Sequence, residues 1–344
     1  MKFGETFTEY LNGDQEGFLD QFSHVEYKRL KKVLKSCRTC RTLKGSSEHQ
    51  QLKQTQQQHH HNRDGGAVSS EFCQCESCPL CDEMFFSELK KEVSDIAGCF
   101  SSRVRRLLHL HMAHGMQRYI ARLRKCFKDD QQLLVQEGRM LIEYITMNAV
   151  AIRKILKKYD KIHSSVNGMK FKSKLREERI EILQSPWLIE LGAFYMNFRE
   201  SNGGESNEFQ SPFSYDLRTT DATMTLLLPD LVKLEYNLTC PICLELVFNP
   251  CALSCGHLFC KSCVCTAASV MIFEGPKAAS PESKCPVCRE VGVYANAVHM
   301  GELDLLLKKR CKEYWKERLT AERAEMVKQS KQYWDMQTKY VIGY

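Results

Sequence analysis

Between residues 238 and 292 the chain sets eight metal-type side chains in a fixed rhythm, Cys240-x2-Cys243-x11-Cys255-x-His257-x2-Cys260-x2-Cys263-x21-Cys285-x2-Cys288. Thiolates and imidazole at such short steps are zinc ligands, and eight of them divide into two tetrahedral four-ligand sites. A segment this small cannot bury a large apolar core. Closed zinc sites supply its folding free energy instead and make folding depend on metal and on pH. With every coordination position filled by protein, hydrolysis at an open metal site is excluded. Cys251 and Cys265 fall outside the rhythm and read as packed thiols. The opening MKFGETFTEYL is charged on both sides of its apolar stretches, and no run reaches the roughly 18 to 20 apolar residues of a membrane span. We expect a soluble intracellular chain whose 18 cysteines serve metal rather than disulfides.

Outside the zinc module the pattern is mainly helical. Residues 1–36 and 84–163 place apolar side chains at three- and four-residue steps, most clearly at Leu141, Ile145, Asn148, Ile152, Ile155 and Tyr159, which predicts a bundle helix. The insert 37–82 holds the low-complexity run QTQQQHHH and six cysteines, Cys37-x2-Cys40 and Cys73-x-Cys75-x2-Cys78-x2-Cys81, enough thiols for a third zinc. Residues 164–235 read as a partly structured linker containing one packed piece, PWLIELGAFYMNF. The tail, 300–340, returns to a helical pattern with Leu303, Leu306, Leu307, Tyr314 and Leu319 among many charges. It is expected to pack on the zinc module, failing that to pair with a second chain as a dimer, or to stand solvated.

The net charge of +7 is unevenly spread: residues 96–128 hold eight Arg and Lys, Arg103, Arg105, Arg106, Arg118, Arg122 and Arg124 among them, and no acid. Lys28, Lys31, Lys32 and Lys35 share one helical face, and Lys154, Lys157, Lys158 and Lys161 share another. The second group spans about 100° of arc centred some 140° from the apolar seam, so it must point outward. Like charges so placed repel unless a multivalent anion bridges them. Either group alone is also compatible with a solvated face.

The zinc pattern resembles the RING finger of the C3HC4 type. In that family the ligand pairs interleave, which implies Cys240, Cys243, Cys260 and Cys263 on one zinc and Cys255, His257, Cys285 and Cys288 on the other. The resemblance implies a ubiquitin ligase that orients a ubiquitin-charged conjugating enzyme (E2) toward a substrate lysine without a covalent intermediate of its own. Ile242, Pro286 and Arg289 match the family's contacts to that enzyme and to ubiquitin, with Arg289 as the bridging fork. The aromatic that many RING fingers place a few residues after the ligand Cys263 is absent, with Ala267 near that point. MKFG at the start, YKRLKK at 27–32 and RKILKKYDK at 153–161 together resemble the SPX domain, a helical bundle that senses inositol pyrophosphates. Carried over, its ligand residues fall on Lys2, Lys28, Lys154, Lys157, Lys158 and Lys161, with His24 in place of a usual tyrosine and Glu5 where many relatives are basic.

Both halves together are similar to the plant SPX–RING ubiquitin ligases of the nitrogen limitation adaptation (benzoic acid hypersensitive) type. The resemblance implies a mainly α fold: an SPX bundle over 1–163, a linker over 164–235, a small zinc-stapled ββα RING over 238–292 and a C-terminal helix. It also implies phosphate or nitrate transporters as substrates, and a cytoplasmic location at the plasma membrane, with the nucleus as a second compartment. Nucleic acid is not an expected partner, since no aromatic platform separates the lysines. Two other classes compete: a non-catalytic phosphate-sensing scaffold and a basic nucleic-acid-binding zinc protein.

Overall fold

The computed structural model describes residues 3–13, 22–42, 79–121, 128–163, 166–177, 182–201, 213–217, 222–228 and 232–343. Lys2, Arg122, Arg124, the QTQQQHHH run and the insert cysteines Cys73, Cys75 and Cys78 lie outside the described residues. No described helix is long and apolar enough to cross a membrane. The chain divides into two compact units, 1–99 with 147–182 and 100–146 with 183–344, so its two longest helices contribute to both.

The first unit contains α1 (Phe3–Asn12), α2 (Tyr27–Thr42), the first part of α3 (Pro79–Ala121), the last part of α4 (Lys128–His163) and α5 (Asn167–Glu177). The expected seam is interior: Ile152, Ile155 and Tyr159 are buried here, as Leu141 and Ile145 are in the part of α4 that belongs to the second unit. Tyr159 stacks on Phe85 and meets Phe86 at a tilt, with ring centroids 4.8 and 4.7 Å apart. Asn148, the polar member of the seam, accepts the Val25 N–H at 2.9 Å and so satisfies a buried donor in the turn before α2. Arg29 turns toward α3 and pairs with Glu88 at 2.7 Å and Glu92 at 3.1 Å. It therefore leaves the cationic face to the lysines of α2. At the far end of α4, Asp160 caps α5 by accepting the Gly168 and Met169 N–H groups at 2.7 and 3.1 Å. Gly168 is required there, because a Cβ would lie 2.8 Å from the Leu156 carbonyl oxygen and 2.9 Å from the Asp160 carboxylate.

In the second unit the stretch read as a linker carries α6 (Pro186–Ser201) and an antiparallel sheet of β1 (Phe213–Asp216), β2 (Thr223–Leu228) and β3 (Val232–Asn237) in that order. The piece PWLIELGAFYMNF is thus a helix, with Leu188, Leu191 and Phe194 buried. The zinc module follows as β4 (Pro250–Ala252), β5 (Leu258–Cys260) and α7 (Lys261–Ala267), with the short strand β6 (Val298–His299) giving a sheet ordered β5-β4-β6. Its small core is Phe248, Phe259, Val264, Ile272 and Tyr294. The tail forms two helices, α8 (Gly301–Arg310) and α9 (Lys312–Ile342). Helix α6 holds the start of α8 through a buried carboxylate: Glu190 accepts the Glu302 and Leu303 N–H groups at 2.7 and 3.1 Å. Burial pushes the Glu190 carboxyl up to about 8, although the two donated bonds pull the other way. Asn197 completes the joint, donating to the Glu302 carbonyl at 2.8 Å.

Candidate metal centres

The ligands of the zinc module come from two matched turns and one hairpin. Residues 240–245 and 285–290 repeat one another as CPICLE and CPVCRE. Their backbones match too: the Cys240 N–H donates to the Glu245 carbonyl at 2.7 Å and the Cys285 N–H to the Glu290 carbonyl at 2.9 Å. Each turn passes through a left-handed non-glycine residue at the same place, Leu244 at φ 60° and Arg289 at φ 61°. The hairpin between β4 and β5 supplies Cys255, His257 and Cys260, and Gly256 at φ 82° separates the first two in a conformation that glycine adopts without steric cost. Cys263 comes from α7, one turn on from Cys260.

These elements bring the ligands into two groups, Cys240, Cys243, Cys260 and Cys263 in one and Cys255, His257, Cys285 and Cys288 in the other, with the ligand atoms of each within 4.8 Å of one another. The interleaved pairing is therefore present in the fold. Four sulfurs at about 2.3 Å from a tetrahedral zinc stand about 3.8 Å apart. Cys243 Sγ and Cys260 Sγ are separated by 3.8 Å, and His257 Nδ1 lies 3.4 Å from both Cys255 Sγ and Cys285 Sγ. Both donor sets fit zinc. The electrostatics point the same way, because sulfurs so crowded cannot all ionise alone. Hydrogen bonds from Cys260 and Cys263 hold the Cys240 thiol far below its ordinary range, while the same pairing with Cys240 pushes Cys260 above it. Cys285 is drawn down to about 3, mainly by Cys255, which is pushed up in turn. A divalent cation removes that conflict by neutralising several thiolates at once. Cys251 and Cys265 stand apart: burial pushes their thiols up to about 12 and about 11, as suits packed, protonated side chains.

Ile242, Pro286 and Arg289 are all exposed on the two turns. Ile242 keeps 41% of its surface in solvent, with Leu244 at 76% and Val287 at 46% beside them. Leu244 and Val287 were not singled out from sequence, although aligning CPICLE with CPVCRE pairs Val287 with Ile242 and Leu244 with Arg289. Among the lysines, Lys28, Lys157 and Lys161 are exposed and Lys154 and Lys158 half-buried. The Lys154 ammonium lies 4.5 Å over the Phe3 ring, and Phe3 meets Tyr27 edge-on at 5.3 Å, so the starts of α1 and α2 and the lysine face of α4 share one corner. Of the arginine-rich stretch, Arg105 lies 5.1 Å over the Trp187 ring.

Comparison with known proteins agrees with this geometry. The model for the RING-type zinc finger matches residues 240–281. A probable E3 ubiquitin-protein ligase of Arabidopsis thaliana, BAH1-like, is 61% identical over 345 residues, spanning all of both chains. The E3 ubiquitin-protein ligase NLA of the same plant is 43% identical over 354 residues, again spanning both. The human E3 ubiquitin-protein ligase TRIM22 shares only a short segment, 47% identical over 60 residues, 17% of this chain and 11% of that protein. The chain belongs to the plant family of BAH1-like and NLA E3 ubiquitin-protein ligases, RING-type ubiquitin transferases whose partners in the reaction are a conjugating enzyme and ubiquitin.

Proposed function

We propose that the two matched turns form the face on which the charged conjugating enzyme docks, and that the lysine corner of the first unit binds an inositol pyrophosphate that reports phosphate status. Ile242 and Pro286, with Leu244 and Val287, offer the apolar contacts. Arg289 donates from a planar fork to the conjugating enzyme and to ubiquitin together, which holds the thioester carbonyl in line for a substrate lysine. Zinc, when bound, fixes the turns and takes no part in bond making. The observation that carries this reading is the repeat of one strained turn, each copy exposing its apolar residue and one carrying Arg289 at its left-handed position.

Lys28, Lys154, Lys157, Lys158 and Lys161, together with Lys2, are the residues proposed for the regulatory anion. Support comes from the packing of Phe3 between Lys154 and Tyr27, which draws the three helix segments to one point. Membrane phosphate or nitrate transporters are the proposed substrates, met at the cytoplasmic side of the plasma membrane. Isothermal titration with a pyrophosphorylated inositol tests the sensing half. Binding that is lost in Lys28→Ala and Lys157→Ala, and that survives competition by short nucleic acids, is the expected result. Equal displacement by nucleic acid, with affinity falling steeply as salt rises, overturns it.

A further inference from the structure

We infer that helix α9 is a working part of the ligase face and that Arg318 is its positioning residue. The inference rests on the docking role assigned to Ile242. The turn that presents Ile242 closes through a left-handed leucine, and the segment it leads into contains a second left-handed residue, Asn249 at φ 47°. Asparagine tolerates that region, but leucine does not, and a turn closed through a left-handed leucine keeps its shape only if its neighbours hold it. Helix α9 does so at four points. The Tyr314 hydroxyl donates to the Leu246 carbonyl at 2.5 Å, the Trp315 ring lies 5.7 Å from Phe248, and Asn249 donates to Glu322 at 2.8 Å. Between them Arg318 makes a forked contact: Nη1 donates to Glu245 at 2.7 Å, and Nη2 points to Cys260 Sγ at 3.8 Å.

That fork ties the last residue of the turn to a metal ligand on the hairpin. A guanidinium can hold both partners in one plane, whereas a lysine ammonium supplies a single point of charge. Donation to a ligating sulfur is also the way outer side chains orient a metal's own ligands. The matching residue of the other turn, Glu290, lies instead 4.0 Å from Cys288 Sγ in its own loop. The two turns share a backbone, and Glu245 of the first is fastened to α9. Arg318 thus acts through Glu245 and Cys260 on the placement of Ile242, without touching the conjugating enzyme.

The test uses the full chain loaded with zinc and measures ubiquitin discharge to free lysine against the concentration of charged conjugating enzyme. Arg318→Ala is expected to raise the half-saturating concentration about three- to fivefold, the scale of one partly exposed charge-assisted contact, with the saturated rate within about twofold of wild type. Glu245→Ala should match it, and the double variant should be no worse than either single one. Zinc should leave Arg318→Ala faster than wild type under a competing chelator. An unchanged half-saturating concentration, or additive losses in the double variant, overturns the inference. Ile242→Ala in the same series separates the two ideas: if it discharges ubiquitin like wild type, the docking face is wrong; if it fails while Arg318→Ala matches wild type, only the role of Arg318 is wrong.

Discussion

Arg289 should be a residue at which stability and activity move in opposite directions. It is exposed, so its side chain contributes little packing, yet its backbone sits at φ 61°. An L-residue in that region costs about 1 to 2 kcal/mol, and glycine returns about 0.5 to 1 kcal/mol of any relief through its greater unfolded freedom. Arg289→Gly should therefore stabilise the zinc module by about 0.5 to 1 kcal/mol. The same change removes the guanidinium proposed to bridge conjugating enzyme and ubiquitin, so discharge should fall by about tenfold or more. Arg289→Asn provides the control, since asparagine tolerates the left-handed region but has no cationic fork. Both variants can be followed by zinc release in urea, with a chromogenic chelator as reporter, beside lysine discharge on the same samples. A lowered urea midpoint in Arg289→Gly would refute the strain argument, and intact discharge in both variants would refute the role of the guanidinium.

Glu190 should make stability fall as pH rises, because its folded pKa of about 8 lies above the ordinary value of 4.5. Its contribution is fully present below about pH 4.5 and is lost through about pH 8; between pH 6 and 8.5 wild type should lose about 2 kcal/mol relative to Glu190→Gln. Parallel urea curves for the two proteins across that range would contradict this. Gly168→Ala should destabilise the first unit by about 1 to 3 kcal/mol, since its Cβ meets a backbone carbonyl that cannot swing aside. A thermal midpoint equal to wild type would count against it. With zinc bound, Cys251 and Cys265 should resist a thiol reagent, and chelation should expose them as the module unfolds. Peptide mapping that finds them labelled before chelation would show that they are not packed.

The metal centres were the most legible part of the sequence, because coordination chemistry fixes ligand type and spacing more tightly than packing does. The buried seam of α4 was legible for a similar reason, down to Asn148, although that its amide serves the Val25 N–H could not be read from periodicity. Helix α9 was harder. Its contacts with the zinc module run through Tyr314, Trp315, Arg318, Glu322 and Gln329, whose polar or mixed character gives no apolar stripe. Sequence reading ranked packing on the zinc module first among three options, and the partners are those of that option. The region 164–235, expected as a partly structured linker with one packed piece, carries helices α5 and α6 and most of a three-stranded sheet; the strands are short, and the first follows the Ser-, Asn- and Gly-rich run 201–214. Helix α6 shows why apolar content alone was ambiguous: Glu190 and Asn197 are interior and exist to hold α8. The repeat of CPICLE in CPVCRE was visible in the letters, but its meaning required the two positive φ angles.

The central claim is that the two turns orient a charged conjugating enzyme, and lysine discharge tests it most directly. The measurement compares wild type, Ile242→Ala and Arg289→Ala against a panel of charged conjugating enzymes, each protein first shown to carry two zinc ions. Discharge by wild type with at least one enzyme, lost in both variants at unchanged zinc content, is the predicted result. Equal discharge by all three proteins, or none by fully metallated wild type with any enzyme, would contradict the account.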